Sequence, residues 1–132
     1  MNEGAAHEPL ADLERPLEAL RRIRGVLGGL VATEDGLTLA ARLNGGLDAE
    51  AHAAAAAALC RLAGKTLSAM NRGELQMVAV EAGKITLVAS ALPIGYLLVL
   101  SEPEAELAPV AAEMREAARA LAKAAASLMD EA

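Results

Sequence analysis

The spacing of apolar positions changes several times along the chain. Leu10, Leu13, Leu17, Leu20 and Ile23 recur at three- and four-residue steps, which predicts an amphipathic first helix. Pro16 falls inside that run, so the regular helix is expected to begin near it, where a proline is tolerated in the first turn. From Gly25 to Leu43 two apolar runs flank Thr33-Glu34-Asp35-Gly36, and Leu37, Leu39 and Ala41 alternate with Thr38 and Ala40. This predicts a hairpin whose turn takes its positive φ from Asp35-Gly36. Asn44-Gly45-Gly46 reads as a flexible link, and Asp48 as the cap of a long helix reaching about Asn71.

That long helix carries two stripes. Ala55, Leu59, Leu62, Ala63, Thr66 and Met70 form an apolar face, expected to lie on the domain's own sheet. Ala53, Ala57, Cys60, Gly64 and Ser68 form a second line of small residues, expected to meet a second copy of the same helix. Glu74–Ala82, Lys84–Leu92 and Ile94–Leu100 follow as three strands, the first apolar on much of both faces and therefore expected to be covered on both. Pro103 and Pro109 bracket the start of a last helix with Leu107, Met114, Leu121 and Leu128 at seven-residue steps. Its alanine-rich fill reads as a helix packed on a sheet rather than a coiled coil.

Length and composition narrow the classes. At 132 residues the chain reads as one domain, residues 10–132, behind a flexible tail at 1–9. It is 55% hydrophobic but only 1% aromatic, so Ala, Leu, Val, Ile and Met must build the core and pack closely. A net charge of −6, with Tyr96 the only aromatic residue, argues against nucleic acid, which needs a concentrated basic face. Ile85–Ser101 is uncharged but too short for a spanning helix and is interrupted by Pro93 and Gly95, so membrane insertion is not expected. The lone Cys60, together with a polar opening that does not resemble a signal peptide, gives the expectation of a cytoplasmic protein.

Little in the sequence carries chemistry. Gly64-Lys65-Thr66 resembles the end of a phosphate loop, but Leu59 stands where the earlier glycine is required and the segment lies in a helix. His52 and Cys60 fall on different sides of that helix, which disfavours a nucleophilic pair. Glu34 and Asp35 sit at a hairpin tip, where carboxylates are normally solvated. Arg15, Arg21, Arg22 and Arg24 read as a solvated face or as partners for the acidic last helix. The expectation is a protein that is not an enzyme, with no catalytic residue, no cofactor and no metal site.

The order helix, two strands, long helix, three strands, helix resembles the Roadblock and dynein light chain family from about Leu17 to Leu128. Ile23-Arg24-Gly25-Val26, Glu34-Asp35-Gly36-Leu37-Thr38-Leu39-Ala40, the alanine-rich helix from Asp48, and Glu74-Leu75-Gln76-Met77-Val78-Ala79-Val80-Glu81 carry the likeness. The resemblance implies an α+β fold, α-β-β-α-β-β-β-α, with a five-stranded antiparallel sheet, the long middle helix on one face and the terminal helices on the other. It further implies dimers joined through the middle helix and the third strand, which adds Leu75 and Met77 to the interface stripe. Bacterial MglB-like members serve small Ras-like GTPases as activators or scaffolds without binding nucleotide. The expected role is therefore a homodimeric regulator or scaffold of such a GTPase, with a structural adaptor that makes no GTPase contact as the alternative. Gly28 and Gly29 depart from the family's usual Ala or Val, which predicts a bulge or a close backbone approach in the first strand.

Overall fold

A computed structural model describes residues 9–131. The elements in chain order are α1 (Pro9–Arg21), β1 (Val26–Ala32), β2 (Thr38–Leu43), α2 (Ala49–Met70), β3 (Met77–Glu81), β4 (Thr86–Leu92), β5 (Gly95–Ser101) and α3 (Leu107–Glu131). One sheet of five strands runs β2-β1-β5-β4-β3, with every neighbouring pair antiparallel. The alternation of β5 divides the core. Leu97 and Val99 face Leu13, Leu17, Leu20, Val110, Met114 and Leu121 of the terminal helices, whereas Leu98 and Leu100 face Ala53, Ala56 and Cys60 of α2. The predicted fold class is the observed one.

The first helix starts earlier than its proline suggests. Pro9 opens α1 and Pro16 lies within it, so the expected start near Pro16 is corrected, and of the expected tail only residues 1–8 lie outside the described residues. An interior proline costs on the order of 3 kcal/mol. Leu13, Leu17 and Leu20 bracket it and are fully buried, each contributing about 1.5–3 kcal/mol, so packing outweighs the lost bond. Arg42 of β2 ties the same helix down through Glu14 at 2.6 Å and Glu18 at 2.8 Å, half-exposed pairs of modest worth. Arg15 and Arg21 pair with Asp12 and Glu18 of their own helix. Among the described residues, none of the four α1-region arginines bridges to α3.

The hairpin forms as expected. Gly36 takes φ +91° and donates its N–H to the Thr33 carbonyl at 2.9 Å, while Thr33 and Leu37 close the ladder at 2.8 Å. Gly28 lies at a register shift between β1 and β5 with φ +137°, and a Cβ there would strike the Arg42 carbonyl oxygen. Both readings of that glycine, a bulge and a close approach, hold. The uncharged run of residues 85–101 is two paired strands, and among the described residues no helix is long and apolar enough to cross a membrane.

The third strand differs from its expectation. It is five residues long and forms an edge, with Ala79, Val80 and Glu81 exposed, so within one protomer it is not covered on both faces. Its free edge leaves a row of backbone groups unpaired within the protomer.

Gly28→Ala is expected to lower unfolding free energy by at least about 2 kcal/mol in urea denaturation, because it combines a strained positive φ with a backbone clash. A change below about 0.5 kcal/mol would show that β1 has another way to relax.

Candidate interaction surface

Helix α2 is anchored at both ends by its own sequence. The Asp48 carboxylate accepts from Glu50 N at 3.0 Å and Ala51 N at 3.3 Å, and Asn71 closes the C-terminus in the left-handed conformation, φ 59°. Between these caps, Ala53, Ala56, Ala57 and Cys60 are buried, and Ala53, Ala56 and Cys60 pack on Leu30, Ala32, Ala89, Leu98 and Leu100 of the sheet. The hairpin turn adds to this cover, since a Cβ on Gly36 would come within 3.2 Å of the Ala54 Cα.

Over residues 53–60 the two predicted stripes are therefore exchanged. Ala53, Ala57 and Cys60, assigned from sequence to a dimer interface, are 0%, 1% and 2% exposed within a single protomer and have no surface left for a second one. Gly64 is half-buried, Ser68 is exposed, and Leu75 and Met77 are half-buried on opposite faces of the sheet. The opposite line, predicted as core, is the outer one. Leu62 is 65% exposed and Met70 59%, Ala55 and Thr66 are exposed, and Leu59 and Ala63 are half-buried. The physical reason is that the bulk at this contact comes from the sheet, whose Leu30, Leu98 and Leu100 fill the space and leave only alanine-sized room on the helix. Periodicity alone misses this because an alanine-rich helix is apolar all round; the signal available was the run of leucines in the strand beneath.

The resulting outer face of α2 consists of Ala51, Ala54, Ala55, Ala58, Leu62, Ala69 and Met70, with Arg61 and Lys65 beside it. Val78 packs on the α2 side of the sheet, and the exposed Val80, two residues on, shares that side at the β3 edge. A broad apolar face next to an unpaired strand edge is suited to protein contact.

The polar groups are held in structural roles. Thr66 Oγ1 donates to the Leu62 carbonyl at 2.8 Å within α2, so Gly64-Lys65-Thr66 is a helical turn. His52 Nδ1 lies 2.6 Å from the Asp48 carbonyl oxygen. Burial pushes the Cys60 thiol up to about 11, which suppresses the reactive thiolate. Burial also raises the Tyr96 hydroxyl, with Cys60 and Glu34 adding to the shift and Arg61 opposing it. Glu34 and Asp35 are exposed, and Arg61 Nη1 donates to the Glu34 carbonyl at 3.0 Å. Among the described residues, no three His, Cys, Asp or Glu side chains converge as metal ligands.

These features define an α+β scaffold whose distinctive surface is a helix face and a strand edge. The Roadblock/LC7 domain model matches residues 13–102, and the chain belongs to that family. It is 32% identical over 108 residues to the uncharacterized protein MJ0310 of Methanocaldococcus jannaschii, covering 80% of this chain and 93% of that protein. Its structure is similar to a Roadblock/LC7 domain from Streptomyces avermitilis, with TM-score 0.73 and 26% identity over 80% of this chain and 91% of that one. It also shares the fold of the gliding protein MglB from Thermus thermophilus, with TM-score 0.80 and 18% identity over 90% of this chain and 92% of that one.

Two substitutions separate the inner from the outer face. Ala57→Leu should cost about 1–3 kcal/mol of folding stability by overpacking. Gly64→Ala, whose Cβ meets nothing within 4 Å, should add about 0.5–1 kcal/mol through helix propensity. Chemical denaturation of both variants checks the assignment. The Cys60 thiol sets a pH signature as well. Its folded pKa lies above the ordinary value of 9.0, so the unfolded chain ionises first and stability falls as pH rises from about 9 to about 11. That part of the decline should be absent from Cys60→Ala in a pH series of unfolding midpoints.

Proposed function

We propose that this chain is a homodimeric, non-catalytic regulator or scaffold of a small Ras-like GTPase in the cytoplasm. The observation that carries the reading is the outer face of α2, where Leu62 and Met70 stand in water on a Roadblock/LC7 domain. A protomer gains nothing from such exposure, whereas burying the exposed part of Leu62 against a partner contributes about 1–2 kcal/mol. A second copy covering α2 and the β3 edge also supplies partners for the backbone groups left open there. The fold is shared with MglB, a gliding protein, which fits this reading. In this reading the dimer works by holding the GTPase in one conformational state, and the chain donates no catalytic residue.

Leu62→Asp should dissociate the dimer in sedimentation experiments while leaving the circular dichroism of the protomer unchanged, since Leu62 is exposed before association. The GTPase role is checked by titrating the purified chain with a Ras-like GTPase from the same genome, loaded with GDP or a GTP analogue. Binding that prefers one nucleotide state, or an altered hydrolysis or exchange rate, is the expected result. Equal or absent binding with unchanged rates would leave the structural-adaptor reading in its place.

A further inference from the structure

The free edge of β3 has a defined pattern of hydrogen-bonding groups. Ala91 N donates to the Gln76 carbonyl at 3.0 Å, and Ala82 N to the Ile85 carbonyl at 2.9 Å. Both pairs share the β3–β4 register in which Met77 faces Ser90 and Glu81 faces Thr86. Antiparallel bonding alternates along a strand, so Gln76, Val78, Val80 and Ala82 bond inward to β4. The N–H and C=O groups of Met77, Ala79 and Glu81 therefore point outward.

A second copy pairing with this edge about a two-fold axis has few registers open to it. An axis at Ala79 brings all five residues of β3 into the ladder and uses all three outward residues. It sets Val78 against the partner's Val80 on the α2 side and places the small Ala79 at the axis. An axis at Glu81 would oppose two like carboxylates, and axes at Met77, Val78 or Val80 would leave part of the strand beyond the ladder.

The same register has a consequence on the opposite face. Met77 packs on the terminal-helix side, and Glu81, four residues on, shares that side. Met77 lines an open groove of about 320 Å³ between β3 and α3, together with Arg115, Ala118 and Arg119. The Arg119 guanidinium is held by Glu116, whereas among the described residues no carboxylate lies within ion-pair distance of Arg115. With the axis at Ala79, the residue directly opposite Met77 is the second copy's own Glu81. An exposed carboxylate would then arrive beside an exposed, unpaired guanidinium, twice per dimer by symmetry.

We propose that a second copy of this chain seats its Glu81 carboxylate in the groove between β3 and α3, against Arg115, with β3 paired to β3 about Ala79. This rests on the homodimer reading above and specifies its register and its charge lock. The occupant is a copy of this chain rather than an unrelated acidic segment because one symmetric register satisfies the outward backbone groups, the valine face and the arginine together.

The test compares the full-length chain with Glu81→Arg, Arg115→Glu and the double exchange, using the dimer dissociation constant from sedimentation equilibrium at low and high salt. Each single reversal is expected to weaken the dimer about ten-fold at low salt, and the double exchange to recover to within about three-fold of the parent. Both side chains are exposed in the protomer, and circular dichroism checks that folding is retained. In a parallel sample, Ala79→Cys should give a symmetric disulfide-linked dimer under mild oxidation, since directly paired strands hold their Cα atoms about 5.5 Å apart. Cys60 is buried and does not compete. A monomeric parent chain would overturn the dimer reading itself. A dimeric parent in which the double exchange fails to recover would overturn the charge lock alone. A dimer that resists oxidation at Ala79→Cys would overturn the register.

Discussion

The contact between α2 and the sheet is the constraint on which the rest of the structure depends. Leucines of β1 and β5 fill the layer between them, and the helix meets them with Ala53, Ala56 and Cys60. Such a contact lets the helix lie close, and the hairpin turn closes over its flank through Gly36 and Ala54. A helix that spends its small residues inward must place its larger ones elsewhere. Leu62 and Met70 thus reach the outer surface as a direct result of how the inner layer is packed. The exposed face that characterises this protein is the reverse side of its core.

The two sheet edges are treated differently. At β2, Arg42 reaches over to Glu14 and Glu18 of α1 and its Nη1 also donates to the Ala41 carbonyl at 2.9 Å, so charge and a side-chain donor occupy that edge. Such devices discourage edge-to-edge association. At β3 the residues are Met77, Val78, Ala79, Val80 and Glu81, with a single charge at the end. In the proposed dimer only the β3 edge is open to pairing, and a two-fold pairing there gives a finite symmetric assembly rather than an open fibre.

Much of the fold was legible because its local signals agree with its global packing. The Asp48 cap, the Gly36 turn and the strand alternation each specify a local conformation that the tertiary structure also requires. Pro16 misled because the burial of Leu13, Leu17 and Leu20 overrides its helix-breaking tendency, a tertiary effect that local rules omit. The orientation of α2 was not legible from its own residues: alanine on every side gives a periodicity too weak to choose a face, and the choice is made by leucines located elsewhere in the chain. The β3 edge was unreadable for a related reason. Its apolar character on both faces predicts cover, but nothing in its own residues says whether that cover belongs to the same chain.

Amide hydrogen exchange at β3, followed as a function of protein concentration, addresses the central claim that this edge and the α2 outer face are completed by a second copy. The amides of Val78 and Val80 bond inward to β4, and those of Met77, Ala79 and Glu81 point away from it. If a second copy completes the edge, the Ala79 and Glu81 amides exchange at high concentration as slowly as those of Val78 and Val80, and dilution accelerates the first pair selectively. Fast exchange of Ala79 and Glu81 at every concentration would contradict it.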